Sequence, residues 1–100
     1  MSERMMNFGE DYGAERTNAL APVVMYTTAW CVDCWRAKQV MDSMQVEYTE
    51  IDISGDEEAT ETVVRLNRGY CSVPTLVFPD GSVMTEPRTT ALVQKLQSLL

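Results

Sequence analysis

Trp30-Cys31-Val32-Asp33-Cys34-Trp35 sets two cysteines two residues apart, just after the apolar run Val23-Val24-Met25-Tyr26-Thr27 and just before a helical pattern. That spacing suits a reversible disulfide, because the pair can close a small ring across the first turn of a helix. A helix beginning near Cys31 points free backbone N–H groups and the positive end of its dipole at the first sulfur. Both favour the thiolate, which is the nucleophile in thiol exchange. The same spacing makes half of a zinc site, but a structural zinc needs two more ligands. The chain has no histidine and one further cysteine, Cys71, so no metal site is expected.

Outward from this stretch, the chain alternates between two periods. Val23 to Thr27 is β-prone and reads as a buried strand. Beyond the cysteines, Ala37, Val40, Met41 and Met44 lie at helical spacing, with Arg36, Lys38, Gln39 and Asp42 on the opposite face. Val46 to Ile53 reads as a second strand, with Val46, Tyr48, Ile51 and Ile53 set against Glu47, Glu50 and Asp52. Gly55 breaks it, and Ser54 or Asp56 can cap a second helix. Glu57, Glu58 and Glu61 suit that helix's N-terminus, Ala59, Val63 and Leu66 form its apolar face, and Gly69 ends it. Pro74 precedes a third strand, Thr75-Leu76-Val77-Phe78. Pro79-Asp80-Gly81-Ser82 is a tight turn, and Ser82 to Thr85 completes a hairpin. Thr89 or Thr90 can cap a last helix with Leu92, Val93, Leu96, Leu99 and Leu100 as its stripe. The order is β-α-β-α-β-β-α. A right-handed parallel β-α-β unit followed by an antiparallel pair gives an α/β fold, a four-stranded mixed sheet flanked by three helices. The cysteines fall at the C-terminal end of the first strand, where open α/β sheets carry their chemistry.

The totals fit one domain. One hundred residues with 45% hydrophobic and 23% charged content can bury a single modest core. A net charge of −7 argues against nucleic acid or an anionic membrane as partner. No apolar run approaches a membrane span, and residues 1–21 are polar, without a secretory pattern. We expect a flexible tail over residues 1–21, a folded domain over residues 22–100, and a monomer in a reducing cytoplasm. In that compartment a close cysteine pair points to catalysis rather than to a structural crosslink.

Two motifs in this order carry a resemblance. Trp30-Cys31-Val32-Asp33-Cys34 after a first strand, and Ser72-Val73-Pro74-Thr75 before a third, resemble the glutaredoxin branch of the thioredoxin superfamily. Met25-Tyr26-Thr27-Thr28-Ala29-Trp30-Cys31, with Val73-Pro74-Thr75-Leu76-Val77-Phe78-Pro79-Asp80-Gly81-Ser82, looks most like the mycoredoxins of actinobacteria. The resemblance covers residues 22–100. It implies a thioredoxin/glutaredoxin fold and a thiol–disulfide oxidoreductase whose first cysteine attacks a mixed disulfide between a protein and a small thiol. It further implies that Pro74 is cis and that the Val73 main chain pairs with the substrate. The implied co-substrate is mycothiol, with no cofactor bound. The implied partners are thiolated or disulfide-bonded cytosolic proteins, the low-molecular-weight thiol itself, and a flavoprotein disulfide reductase that recycles it. The sequence also departs from neighbouring groups. Met25 stands where thioredoxins carry a buried acid, and Val32-Asp33 where they favour Gly-Pro. Thr85-Glu86-Pro87-Arg88 stands where glutathione-using glutaredoxins carry Gly-Gly and an acid, so glutathione is not the expected thiol. The competing readings are a general protein disulfide reductase and a module that holds an iron–sulfur cluster between two subunits.

Roles follow for single residues. Cys31 is the expected nucleophile and Cys34 the resolving thiol. Arg36 and Lys38 can stabilise a thiolate or meet a substrate carboxylate; the alternative is plain solvated charge. Asp33 disfavours a neighbouring thiolate, because like charges repel. Trp30 and Trp35 either shield the sulfur at a substrate-binding surface or pack into the fold. Cys71 is expected as a semi-buried free thiol.

Overall fold

Strand β1 (Val23–Thr27) lies inside a four-stranded sheet of order β2-β1-β3-β4. The computed structural model describes residues 22–100, so the tail expected over residues 1–21 lies outside the described residues. β2 (Tyr48–Asp52) pairs parallel to β1, with Val23 opposite Tyr48 and Thr27 opposite Asp52. β3 (Thr75–Val77) pairs antiparallel to β1, and β4 (Val83–Thr85) antiparallel to β3. Three helices complete the expected β-α-β-α-β-β-α order: α1 (Val32–Ser43), α2 (Glu57–Leu66) and α3 (Thr89–Leu99). No helix among the described residues is long and apolar enough to cross a membrane.

The sheet buries both faces unequally. Val23, Met25, Leu76 and Phe78 pack with Ala37 and Met41 of α1 and Leu92 and Leu96 of α3. A smaller cluster joins Ile53 to Ala59 and Val63 of α2, with Tyr26, Ile51 and Val73 against it. Strand alternation explains the division: Met25 and Tyr26 point to opposite faces. The second strand serves both clusters. Val46 and Tyr48 pack on the larger one, Ile51 on the smaller, and the apolar phase switches between them. Regular pairing with β1 begins at Tyr48, two residues later than Val46.

Helix ends depart most from expectation. Asp56, not Ser54, caps α2, its carboxylate accepting from the Ala59 N–H at 3.0 Å. Gly69 lies just beyond the residue that turns the chain. Arg68 takes the left-handed conformation at φ +57°, and the Gly69 N–H donates to the Val64 carbonyl at 2.8 Å. Gln45 does the same after α1, at φ +57°, with the Val46 N–H donating to the Met41 carbonyl at 2.9 Å. With the Arg68 N–H donating to the Arg65 carbonyl at 3.3 Å and the Gln45 N–H to the Asp42 carbonyl at 3.1 Å, these form the paired closing bonds of a helix C-terminus that usually ends on glycine. α3 has neither threonine as its cap. Arg88 holds that position with no side-chain hydrogen bond, and Thr89 is the first helical residue. Leu92 and Leu96 are buried as expected, but Leu100 lies past the helix and is exposed.

The hairpin turn is held by the Phe78 N–H donating to the Ser82 carbonyl at 2.9 Å and by Asp80, which accepts from the Ser82 N–H at 3.0 Å. Gly81 supplies the turn's left-handed residue at φ +87°. Lys95 of α3 donates to Asp80 at 2.6 Å and sits 5.4 Å above the Phe78 ring, tying the last helix to the turn.

Candidate active site

Cys31 is the N-cap of α1. Its backbone is extended, and its sulfur takes the position that a serine or aspartate oxygen usually fills at a helix start. The Cys34 N–H donates to Cys31 Sγ at 3.0 Å. A backbone donor and the helix dipole therefore converge on the first sulfur. Cys31 is half-buried, whereas Cys34, one turn on, is 1% exposed. Burial pushes the Cys34 thiol up to about 11, aided by its hydrogen bond with the Cys31 side chain. One sulfur is presented and the other is kept as a thiol.

The second motif faces the first. The Val73–Pro74 bond is cis, as the resemblance implied, and Pro74 is buried. The Val73 carbonyl oxygen lies 3.9 Å from Cys31 Sγ, within range of a weak S–H···O contact. The neighbouring carbonyls are engaged. The Ser72 carbonyl accepts from Thr75 Oγ1 at 2.7 Å, and the Pro74 carbonyl accepts from the Glu86 N–H at 2.8 Å. Among the described residues no group takes up the Val73 N–H. A donor with no protein partner and an acceptor engaged only weakly by the thiol, on one residue, are what an extended chain needs for a short piece of strand pairing.

The charged candidates are placed elsewhere. Arg36 donates to Asp33 at 2.9 Å on the same helix face, both half-exposed. That pair lessens the repulsion that Asp33 would exert on a thiolate. Lys38 donates to Glu50 of β2 at 3.0 Å, and this bond raises the lysine's proton affinity. Thus Cys31, Cys34, Val73 and Pro74 come together, while Arg36 and Lys38 are bound to carboxylates. Neither tryptophan packs into the fold: Trp30 is 97% exposed and Trp35 59%. Cys71 is exposed rather than semi-buried.

Sequence reasoning missed the polar support beneath Val73. Thr75 is fully buried, and its hydroxyl accepts from Asn67 Nδ2 at 2.9 Å while it donates to Ser72. Asn67 is the C-cap of α2, and its amide oxygen accepts from the Thr85 hydroxyl. The available signal was a threonine opening an apolar strand, since a buried hydroxyl requires a partner.

Comparison with known proteins agrees with this geometry. The Glutaredoxin family model matches residues 23–83. A protein of Mycobacterium tuberculosis named for the glutaredoxins is 38% identical over 76 residues, 76% of this chain and 90% of the relative. Mycoredoxin 1 of Corynebacterium glutamicum is 35% identical over 80 residues, 80% of this chain and 99% of the relative. The crystal structure of a thioredoxin-like protein superposes with a TM-score of 0.62 at 31% identity, covering 78% of this chain and 99% of that one. The glutaredoxin from Methanosarcina mazei gives 0.63 at 25% identity, covering 75% of this chain and 77% of that one.

Proposed function

The chain belongs to the glutaredoxin family of thiol–disulfide oxidoreductases, and from that premise we propose that it reduces mixed disulfides between proteins and a small thiol, specifically mycothiol. The observation that carries this reading is the unequal pair: Cys31 at a helix N-cap beside an open Val73 main chain, with Cys34 buried and held as a thiol.

The Cys31 thiolate attacks the small-thiol sulfur of the mixed disulfide. The bond to the client protein breaks, and the client leaves as a thiolate that takes a proton from water. Cys31 now carries the small thiol. A second molecule of that thiol, as its thiolate, attacks the same sulfur. It leaves as the symmetric disulfide and restores Cys31, and a flavoprotein reductase returns two electrons to that disulfide. Val73 aligns the client by main-chain hydrogen bonds, while Pro74 closes the floor of the site. Trp30 offers an exposed apolar face to the same ligand. Arg36 and Lys38 reach substrate only by leaving their carboxylate partners. Cys34 is the slower route: its attack on Cys31 releases the small thiol and leaves a Cys31–Cys34 disulfide. Mycothiol is favoured over glutathione by the likeness to mycoredoxin 1 and by Thr85-Glu86-Pro87-Arg88, where glutathione-using relatives carry glycines and an acid. The working unit is a monomer of residues 22–100 in the cytoplasm, without nucleic-acid or membrane partners.

Turnover of a mycothiol-modified protein, compared with the glutathione-modified form, tests the reading. Cys31→Ser should abolish turnover, and Cys34→Ser should retain it. Loss of all activity in Cys34→Ser would replace the proposal with a dithiol disulfide reductase, and equal use of glutathione would remove the mycothiol assignment.

A further inference from the structure

The loop that carries Val73 has no regular structure of its own. Residues 67–74 run from the end of α2 to the start of β3, and Arg68 and Gly69 are both in the left-handed region. Such a segment keeps a defined position only if side chains or neighbouring strands hold it. Two restraints are visible. On one side, the Glu86 N–H holds the Pro74 carbonyl at 2.8 Å. On the other, a chain of side-chain bonds runs from Thr85 through Asn67 to Thr75 and ends on the Ser72 carbonyl. Val73 lies between these fixed points, and its own carbonyl faces Cys31.

We propose that Asn67 is a positioning residue, which through the Thr75 hydroxyl fixes Ser72 and so aims the Val73 main chain at the substrate chain whose mixed disulfide lies against Cys31. The inference rests on the mixed-disulfide reading above and extends it to substrate selection. Asn67 suits this task because its amide donates at one end and accepts at the other, joining α2, β3 and β4 at one point. Thr75 is fully buried, so its hydroxyl has no water to exchange for these partners. Among the described residues Asn67 makes no hydrogen bond to either sulfur or to Val73. Its effect should therefore appear in how well an extended substrate is held, and not in the reactivity of Cys31.

The test uses the full chain and two substrates. One is an extended peptide bearing a mixed disulfide, long enough to lie along Val73. The other is bis(2-hydroxyethyl) disulfide, too short to do so. Asn67→Asp keeps the shape and removes the Nδ2 donor. It should raise KM for the peptide by about 2- to 10-fold, the range of one neutral hydrogen bond, with kcat little changed. Turnover of the short disulfide and alkylation of Cys31 by iodoacetamide should stay within about twofold of the parent, since no bond in the chain reaches the sulfur. Thr75→Val should have a similar effect, Thr75→Ser should restore the parent value, and the double variant Asn67→Asp/Thr75→Val should be no worse than Thr75→Val. Equal losses on both substrates, or additive losses in the double variant, would overturn the proposal. A second readout needs no activity: the Ser72 and Val73 amide resonances should shift in Asn67→Asp, and unmoved resonances would overturn it. A parent protein that turns over neither substrate refutes the mixed-disulfide reading instead, and the resonances still decide the role of Asn67.

Discussion

Raising the pH should go on accelerating closure of the Cys31–Cys34 disulfide after its acceleration of release by an external thiol has levelled off. Closure requires Cys34 as a thiolate. With the thiol pushed up to about 11, only roughly one molecule in ten thousand is ionised at pH 7. A thiol at the ordinary 9.0 would be ionised to about one in a hundred. The mixed disulfide changes this environment. Once Cys31 carries a small thiol, the charge on its sulfur is gone and its hydrogen bond with Cys34 is altered, so two of the raising influences weaken. Burial, the largest, remains, and keeps Cys34 above the ordinary 9.0 of a thiol. The closure rate should then rise about tenfold per pH unit from pH 7 to 8 and still be rising at pH 9. Release by added thiol should instead level off near that thiol's own pKa. The assay prepares the Cys31 adduct, removes free thiol by rapid desalting, and follows adduct mass after quenching at each pH. A closure rate that is flat between pH 7 and 9 would refute the argument, because it would mean that Cys34 is already ionised or that its opening, not its proton, sets the rate.

Two further outcomes concern stability. Above pH 9 the reduced protein should lose stability, because unfolded Cys34 ionises from about 9.0 while the folded thiol resists until about 11. The loss should not exceed about 3 kcal/mol and should vanish in Cys34→Ser, read by urea unfolding at pH 8 and 10.5; an equal loss in the variant would assign it to other groups. Gln45→Gly should raise the melting temperature by a few °C, since relief of left-handed strain of about 1–2 kcal/mol outweighs glycine's entropy of roughly 0.5–1 kcal/mol. A lower melting temperature would mean that the Gln45 side chain contributes more than its backbone costs.

The sequence displayed the frame because its strongest signals are local. Cys31 at a helix start, the period change from Tyr26 to Ala37, and Pro79-Asp80-Gly81-Ser82 each fix structure within a few residues. What stayed hidden depends on partners distant along the chain. Gln45 and Arg68 turn the chain with positive φ, and neither residue type announces it, because the flanking helices and strands impose the conformation. Tyr48 and Ile51 read as one apolar series but serve opposite faces, since α2 covers the side that α1 and α3 do not. Asn67 and Thr75 are eight residues apart and meet only when α2 packs on the sheet. The exposed apolar residues have a different cause. Trp30, Val32, Trp35 and Tyr70 would be placed in a core by composition, yet all are exposed. Trp30 and Val32 flank Cys31, and Tyr70 lies three residues before Val73. Hydrophobic burial therefore predicts the core where strands and helices meet, and most of its failures fall on the two segments that converge on the sulfur. Apolar surface left uncovered there does not stabilise the folded chain, but it is available to a partner, and in the proposed reaction hydrophobic contact made on binding would hold a client while its mixed disulfide exchanges with Cys31.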